Sequence, residues 1–91
     1  DERILKRPED IDVLVADDDA LVRSVLVEYL SLFGFRRIME ARTGMHALKL
    51  IQNKRAPIDL ILSDWEMPGA DGLTLLRAVR NNPGRSGVKF I

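Results

Sequence analysis

Twice in this 91-residue chain a short apolar run stops abruptly at aspartate and gives way to turn or helical patterning. Val13-Leu14-Val15-Ala16 runs into Asp17-Asp18-Asp19, and Ile58-Asp59-Leu60-Ile61-Leu62-Ser63 runs into Asp64. Runs this short fit strands, the first of them buried on both faces, and they leave the acids at the strands' carboxyl ends. After the first run Val22, Val25, Leu26, Tyr29, Leu30 and Phe33 recur at spacings of three and four, which predicts an amphipathic helix stopped at Gly34.

The rest of the chain continues the alternation. Ile38 and Met39 make a brief second strand, and Thr43 caps a second helix in which Ala47, Leu48 and Ile51 share a face. Pro57 breaks the chain before the third strand. Trp65 to Gly72 is dense in turn formers, Leu73, Leu76 and Val79 return to helical spacing, and Asn81 to Gly84 ends that helix. Val88 to Ile91 begins a fourth strand. Alternating strands and helices with short connections argue for an α/β fold, a doubly wound parallel sheet between helices in three layers, because each parallel pair needs a crossover. Residues 1–10 are taken as an N-terminal tail and 11–91 as one domain.

Composition removes several functional classes. Lys plus Arg and Asp plus Glu balance at 14 each, so no basic field favours nucleic acid or an anionic membrane. With no cysteine there is no disulfide framework, thiolate nucleophile or Cys-ligated metal. No apolar run reaches the length of a membrane span, and the first ten residues lack a signal peptide's apolar stretch, so a cytoplasmic protein is expected.

In an open parallel sheet, sites form beyond the carboxyl ends of the strands, where the winding direction switches. Two separate strands bring Asp17, Asp18 and Asp64 to that edge. Three carboxylates about 5 Å apart repel by about 3 kcal/mol per pair at an effective dielectric near 20, so they need a cation or protons. A hard divalent ion with oxygen ligands, magnesium first, resolves the conflict. Asp19 is explained by helix capping alone. His46, the sole histidine, is expected on a helix surface and not as a phosphohistidine. Met67-Pro68 is expected to shape the turn after Asp64, and Gly72 to start the third helix where a side chain would crowd the loop.

Val13 to Asp19 followed by Arg23, and Ile61-Leu62-Ser63-Asp64-Trp65-Glu66-Met67-Pro68 followed by Asp71-Gly72, resemble the two signature blocks of bacterial two-component receiver domains, with chemotaxis response regulators closest in wording. Gly34-Phe35, Thr43-Gly44 and Ala47-Leu48 extend the likeness. The resemblance implies a flavodoxin-like sheet of strand order 2-1-3-4. It implies that Asp64 takes a phosphoryl group from a sensor histidine kinase or phosphotransfer protein, that Asp18 and Asp64 bind Mg2+ directly with Asp17 acting through water, and that the backbone carbonyl of Glu66 completes the protein's share. Such a domain is a signalling switch and not an enzyme, acting on an output domain or target protein.

Receivers of this kind also carry a Ser or Thr at the end of the fourth strand, a Lys at the end of the fifth, and that fifth strand itself; none has a counterpart here. A sequence cut short, a natural shortening and a dimer that completes its sheet through the exposed fourth-strand edge each fit, the first being preferred. Two other functional classes compete: a receiver-like interaction module that does not signal by phosphate, and a haloacid-dehalogenase-like phosphatase using Asp17 and Asp19. The phosphatase reading leaves the Asp64 block unexplained.

Overall fold

The computed structural model describes residues 6–91, so residues 1–5 of the expected tail lie outside the described residues. A single turn of 3-10 helix at Pro8–Asp10 leads into β1 (Asp12–Ala16), α1 (Ala20–Leu32), β2 (Arg37–Ala41), α2 (Gly44–Gln52), β3 (Leu60–Ser63) and α3 (Gly72–Arg80). A second 3-10 turn at Pro83–Arg85 precedes β4 (Lys89–Phe90). All strand pairs are parallel, in the order β2-β1-β3-β4. The expected α/β fold and strand order are therefore present, and the order matches that of a flavodoxin-like receiver sheet. β2 is longer than its two apolar residues suggest, because pairing with β1 from Asp12↔Arg37 to Ala16↔Ala41 extends it through its charged flanks.

β1 is the centre of the molecule, and Val13, Leu14, Val15 and Ala16 are completely buried. Its side chains alternate between two cores. Leu14 and Ala16 face α2 and α3 and pack with Ala47, Ile51, Ile61, Leu75 and Val79. Val13 and Val15 face α1 and pack with Leu30, flanked by Leu26, Val27 and Ile38. Burying each such aliphatic side chain contributes roughly 1.5–3 kcal/mol.

Two helix faces differ from expectation. On α1, Val22, Val25, Tyr29 and Phe33 are exposed, while Arg23 and Leu30 are buried and Leu26 and Val27 meet the sheet. The apolar stripe is wider than the line along which one helix touches a sheet, and its outer half is left open. On α3, Leu75 is fully buried and Leu73 exposed, so the inward face is Leu75 and Val79 and not the Leu73–Leu76–Val79 face expected. Packing of Leu75 and Val79 in the core decides the helix phase, which the spacing alone left undetermined.

Helix ends follow local chemistry. Gly34, at φ +97°, lets the chain leave α1 in the left-handed region that favours glycine. On the other face of the sheet, buried Arg85 closes α2: its Nε donates to the Ile51 carbonyl at 3.0 Å and its Nη2 to the Asn53 carbonyl at 2.7 Å. No helix among the described residues is long and apolar enough to cross a membrane.

Candidate metal and phosphoacceptor site

β1 and β3 are neighbours in register, with Ala16 opposite Ser63. The next residue of each strand is an aspartate, so Asp17 and Asp64 must emerge side by side at the same edge. The Asp64 N–H closes the pairing by donating to the Ala16 carbonyl at 2.8 Å, and the Asp17 N–H donates to the Ala41 carbonyl of β2 at 3.2 Å. The chain winds from β1 to one side for β2 and to the other for β3 and β4, which makes the β1/β3 edge the switch point where open α/β sheets form their crevice.

Asp17, Asp18 and Asp64 each offer one oxygen, and these atoms all lie within 4.8 Å of one another. Asp17 is buried, Asp64 half-buried and Asp18 exposed, so the cluster opens to solvent on one side. Asp17 Oδ1 accepts the Asp19 N–H at 2.8 Å, and Asp64 Oδ1 accepts the Glu66 N–H at 3.3 Å. Each carboxylate is thus oriented by the backbone two residues on, a local turn that aspartate favours. At this spacing the charges repel by about 3 kcal/mol per pair at an effective dielectric near 20, before solvent on the open side weakens it. An all-oxygen donor set with a wet side fits a hard divalent cation that keeps several waters, and Mg2+ meets that description.

The other expected residues fall as follows. Asp19 is the N-cap of α1, its Oδ1 accepting the N–H groups of Leu21 at 2.9 Å and Val22 at 3.3 Å. That duty accounts for the residue and leaves the phosphatase reading without its second acid. Glu66 turns its N–H toward Asp64 and exposes its side chain. Gly72 does start α3 in a crowded place: a Cβ there would lie 2.6 Å from Trp65 Cε3. Trp65 itself is 54% exposed beside the acids. His46 is exposed in the first turn of α2, and its N–H is capped by Thr43 Oγ1 at 3.0 Å.

Two contributors, Arg23 and Gly44, were named from sequence only as part of the family resemblance and were given no role there. Arg23 is buried and its Nη1 donates to the Asp17 carbonyl at 2.9 Å. Its sequence signal is its place in the first signature block, one helical turn past the acids. Gly44 is the other: any Cβ at this position would overlap the carbonyl group of Ala70, so the loop after Asp64 packs directly on the start of α2. Met67 and Ala70 are the buried residues of that loop.

Similarity to known proteins bears on the family. The family model for the response regulator receiver domain matches residues 13–91. A probable chemotaxis protein CheY of Rhizobium etli is 37% identical over 83 residues, covering 91% of this chain and 63% of that protein. Among solved structures, the BeF3-activated response regulator Chey2-Mg2+ of Sinorhizobium meliloti superposes with a TM-score of 0.74 at 37% identity, covering 94% of this chain and 65% of that one. A CheY-like response regulator receiver domain protein of Methanospirillum hungatei JF-1 gives 0.72 at 34% identity, covering 87% and 60%. The chain spans less than two thirds of the length of each of these relatives. With a sheet of order 2-1-3-4, two acidic strand tips meeting at its switch point and a family match over residues 13–91, the chain belongs to the CheY-like response regulator receiver domains.

Proposed function

We propose that this domain is a phosphoacceptor in two-component signalling, with Asp64 as the residue that takes the phosphoryl group. The donor is the phosphohistidine of a sensor histidine kinase or phosphotransfer protein in the cytoplasm. A carboxylate oxygen of Asp64 forms the new bond to phosphorus, the phosphorus–nitrogen bond breaks, and the imidazole nitrogen regains a proton. Mg2+ supplies charge neutralisation for the phosphoryl oxygens when bound. Asp18 and Asp64 would hold it directly and Asp17 through water, with the backbone carbonyl of Glu66 offering a further oxygen. The observation that carries this reading is the meeting of three carboxylate oxygens within 4.8 Å at one sheet edge, one of them on the half-buried Asp64.

The acids divide the work by their surroundings. Asp17 is buried and fixed by its own N–H and carboxylate, which suits a residue that orients a cation and does not react. Asp64 is half-buried at the crevice and keeps one oxygen clear of the Glu66 N–H, which suits a nucleophile reached from solvent. Phosphorylation adds negative charge beside the loop 65–71 and shifts a conformational equilibrium that an output domain or target protein reads.

Intact mass after incubation with acetyl phosphate and Mg2+ tests the assignment. One phosphoryl adduct is expected, lost in Asp64→Asn and retained in Asp19→Asn. No adduct on the full protein would instead favour a passive interaction module, and an adduct that survives Asp64→Asn but not Asp17→Asn would return the phosphatase reading.

A further inference from the structure

We infer that Arg23 is a positioning residue for the divalent-cation site, strapping the backbone of Asp17 to the end of β2 and so setting how tightly the three acids hold a cation. This rests on reading those acids as a cation site. The starting observation is a burial that needs a reason. An arginine in the first turns of a surface helix ordinarily runs its stem along the protein and keeps its head in water. The Arg23 side chain is only 10% exposed, although α1 has an open outer face that would have left it solvated.

The guanidinium donates to two acceptors. Nη1 donates to the Asp17 carbonyl at 2.9 Å, and Nε donates to Glu40 Oε1 at 3.3 Å. The Asp17 carbonyl precedes the N-cap of α1 and has no role in the helix ladder, so its bond to Arg23 acts on the acidic loop alone. Glu40 belongs to β2, and so does Ala41, whose carbonyl accepts the Asp17 N–H. Both the N–H and the carbonyl of Asp17 are thereby tied to β2, one directly and one through the guanidinium.

This arrangement bears on cation binding in two ways. Like charges on Asp17, Asp18 and Asp64 push the strand tips apart whenever no cation is present, and a backbone strapped to β2 resists that separation, so binding does not have to assemble the site. Groups that orient ligands without touching the metal commonly govern affinity in this way. Glu40 also pairs the guanidinium's charge, which keeps Arg23 from competing with the cation for the same carboxylates.

Titration of Mg2+ into the metal-free full protein tests the inference, read by calorimetry and by Trp65 fluorescence at a temperature where circular dichroism shows each variant folded. Arg23→Met keeps the aliphatic stem and removes both hydrogen bonds; its Kd for Mg2+ is expected to rise about tenfold, with partial recovery in Arg23→Lys. A merely structural role would lower the melting temperature and leave the Kd where it was. Should Arg23→Met fail to fold, Glu40→Ala cuts the same strap at its more exposed end, and an unchanged Kd there overturns the inference. Asp18→Asn separates the two levels. Loss of binding in Asp18→Asn with Arg23→Met unchanged sinks the strap and leaves the cation site standing, whereas a parent protein that binds no Mg2+ sinks both.

Discussion

The tip of β1 passes from Ala16 through Asp17 and Asp18 straight into Asp19, which caps α1, whereas the tip of β3 travels from Asp64 through six residues before Asp71 caps α3. Both tips present carboxylates to one point, yet they are held by different forces. The β1 tip is fixed by hydrogen bonds: Asp17 to Ala41, Asp19 to Asp17, Arg23 to Asp17. The β3 tip has bonds of its own, Asp64 to Ala16, Ser63 to Asp64 and Gly72 to Trp65, but the loop beyond it is also held by fit, with Met67 and Ala70 buried, Gly44 admitting the Ala70 carbonyl, and Gly72 lying under the Trp65 ring. A polar strap suits a residue that must stay still around a cation. A packed loop suits the side proposed to carry the reacting group, since packing of this kind has discrete alternatives and can be displaced as a unit.

If fit governs the β3 side, the largest stability loss should come from spoiling it. Gly44→Ala forces a methyl group into the Ala70 carbonyl, and backbone on both sides leaves nothing flexible to yield. A destabilisation of at least about 3 kcal/mol in urea or thermal unfolding is expected, at the upper end for overpacking. A loss under about 1 kcal/mol would mean that the loop is not held by α2.

Gly72→Ala should cost less, about 1–2 kcal/mol, because the obstacle is largely the Trp65 ring, which is half-exposed and can swing outward. Its signature is optical: the Trp65 emission should shift along with the stability, and an unmoved spectrum would contradict the contact. On the β1 side, Asp19→Ala removes the cap of α1 and should cost about 1 kcal/mol without altering Trp65 emission, which keeps the two tips distinguishable.

The smallest effect is in acid. Thr74, through its N–H and hydroxyl, holds the Asp71 carboxyl below the ordinary carboxylate pKa. A group whose folded pKa is depressed stabilises the fold above its unfolded pKa and loses that contribution as pH falls through the folded value. The acid limb of the stability profile, below about pH 4, should therefore be shallower in Asp71→Asn, which still caps the helix but does not titrate. An unchanged profile would show that the carboxylate's charge plays no part in holding α3.

Legibility from sequence followed the same division. Asp17, Asp18 and Asp64 were readable because they stand within two residues of the end of an apolar strand, and parallel pairing sends strand ends to a common edge. The caps Asp19 and Thr43 were readable because capping is local. The inward faces of α1 and α3 were misjudged at Val22, Val25, Tyr29, Phe33 and Leu73, since periodicity defines a stripe but not which edge of it meets the sheet. Arg23 belongs to the first signature block, but its inward turn was not readable, because an arginine at a helical position is ordinarily a solvated one.

By itself the amino-acid order determined the alternation of strands and helices, the residues that stop and start them, and which acids stand at strand ends, because these depend on near neighbours along the chain. Tertiary structure decided that the acids lie within 4.8 Å of one another, that Arg23 turns inward to Glu40 and Asp17, and that Ala70 sits where only glycine fits opposite. Those facts depend on how distant segments are brought together, and no local pattern specifies a contact between residues that far apart in the chain.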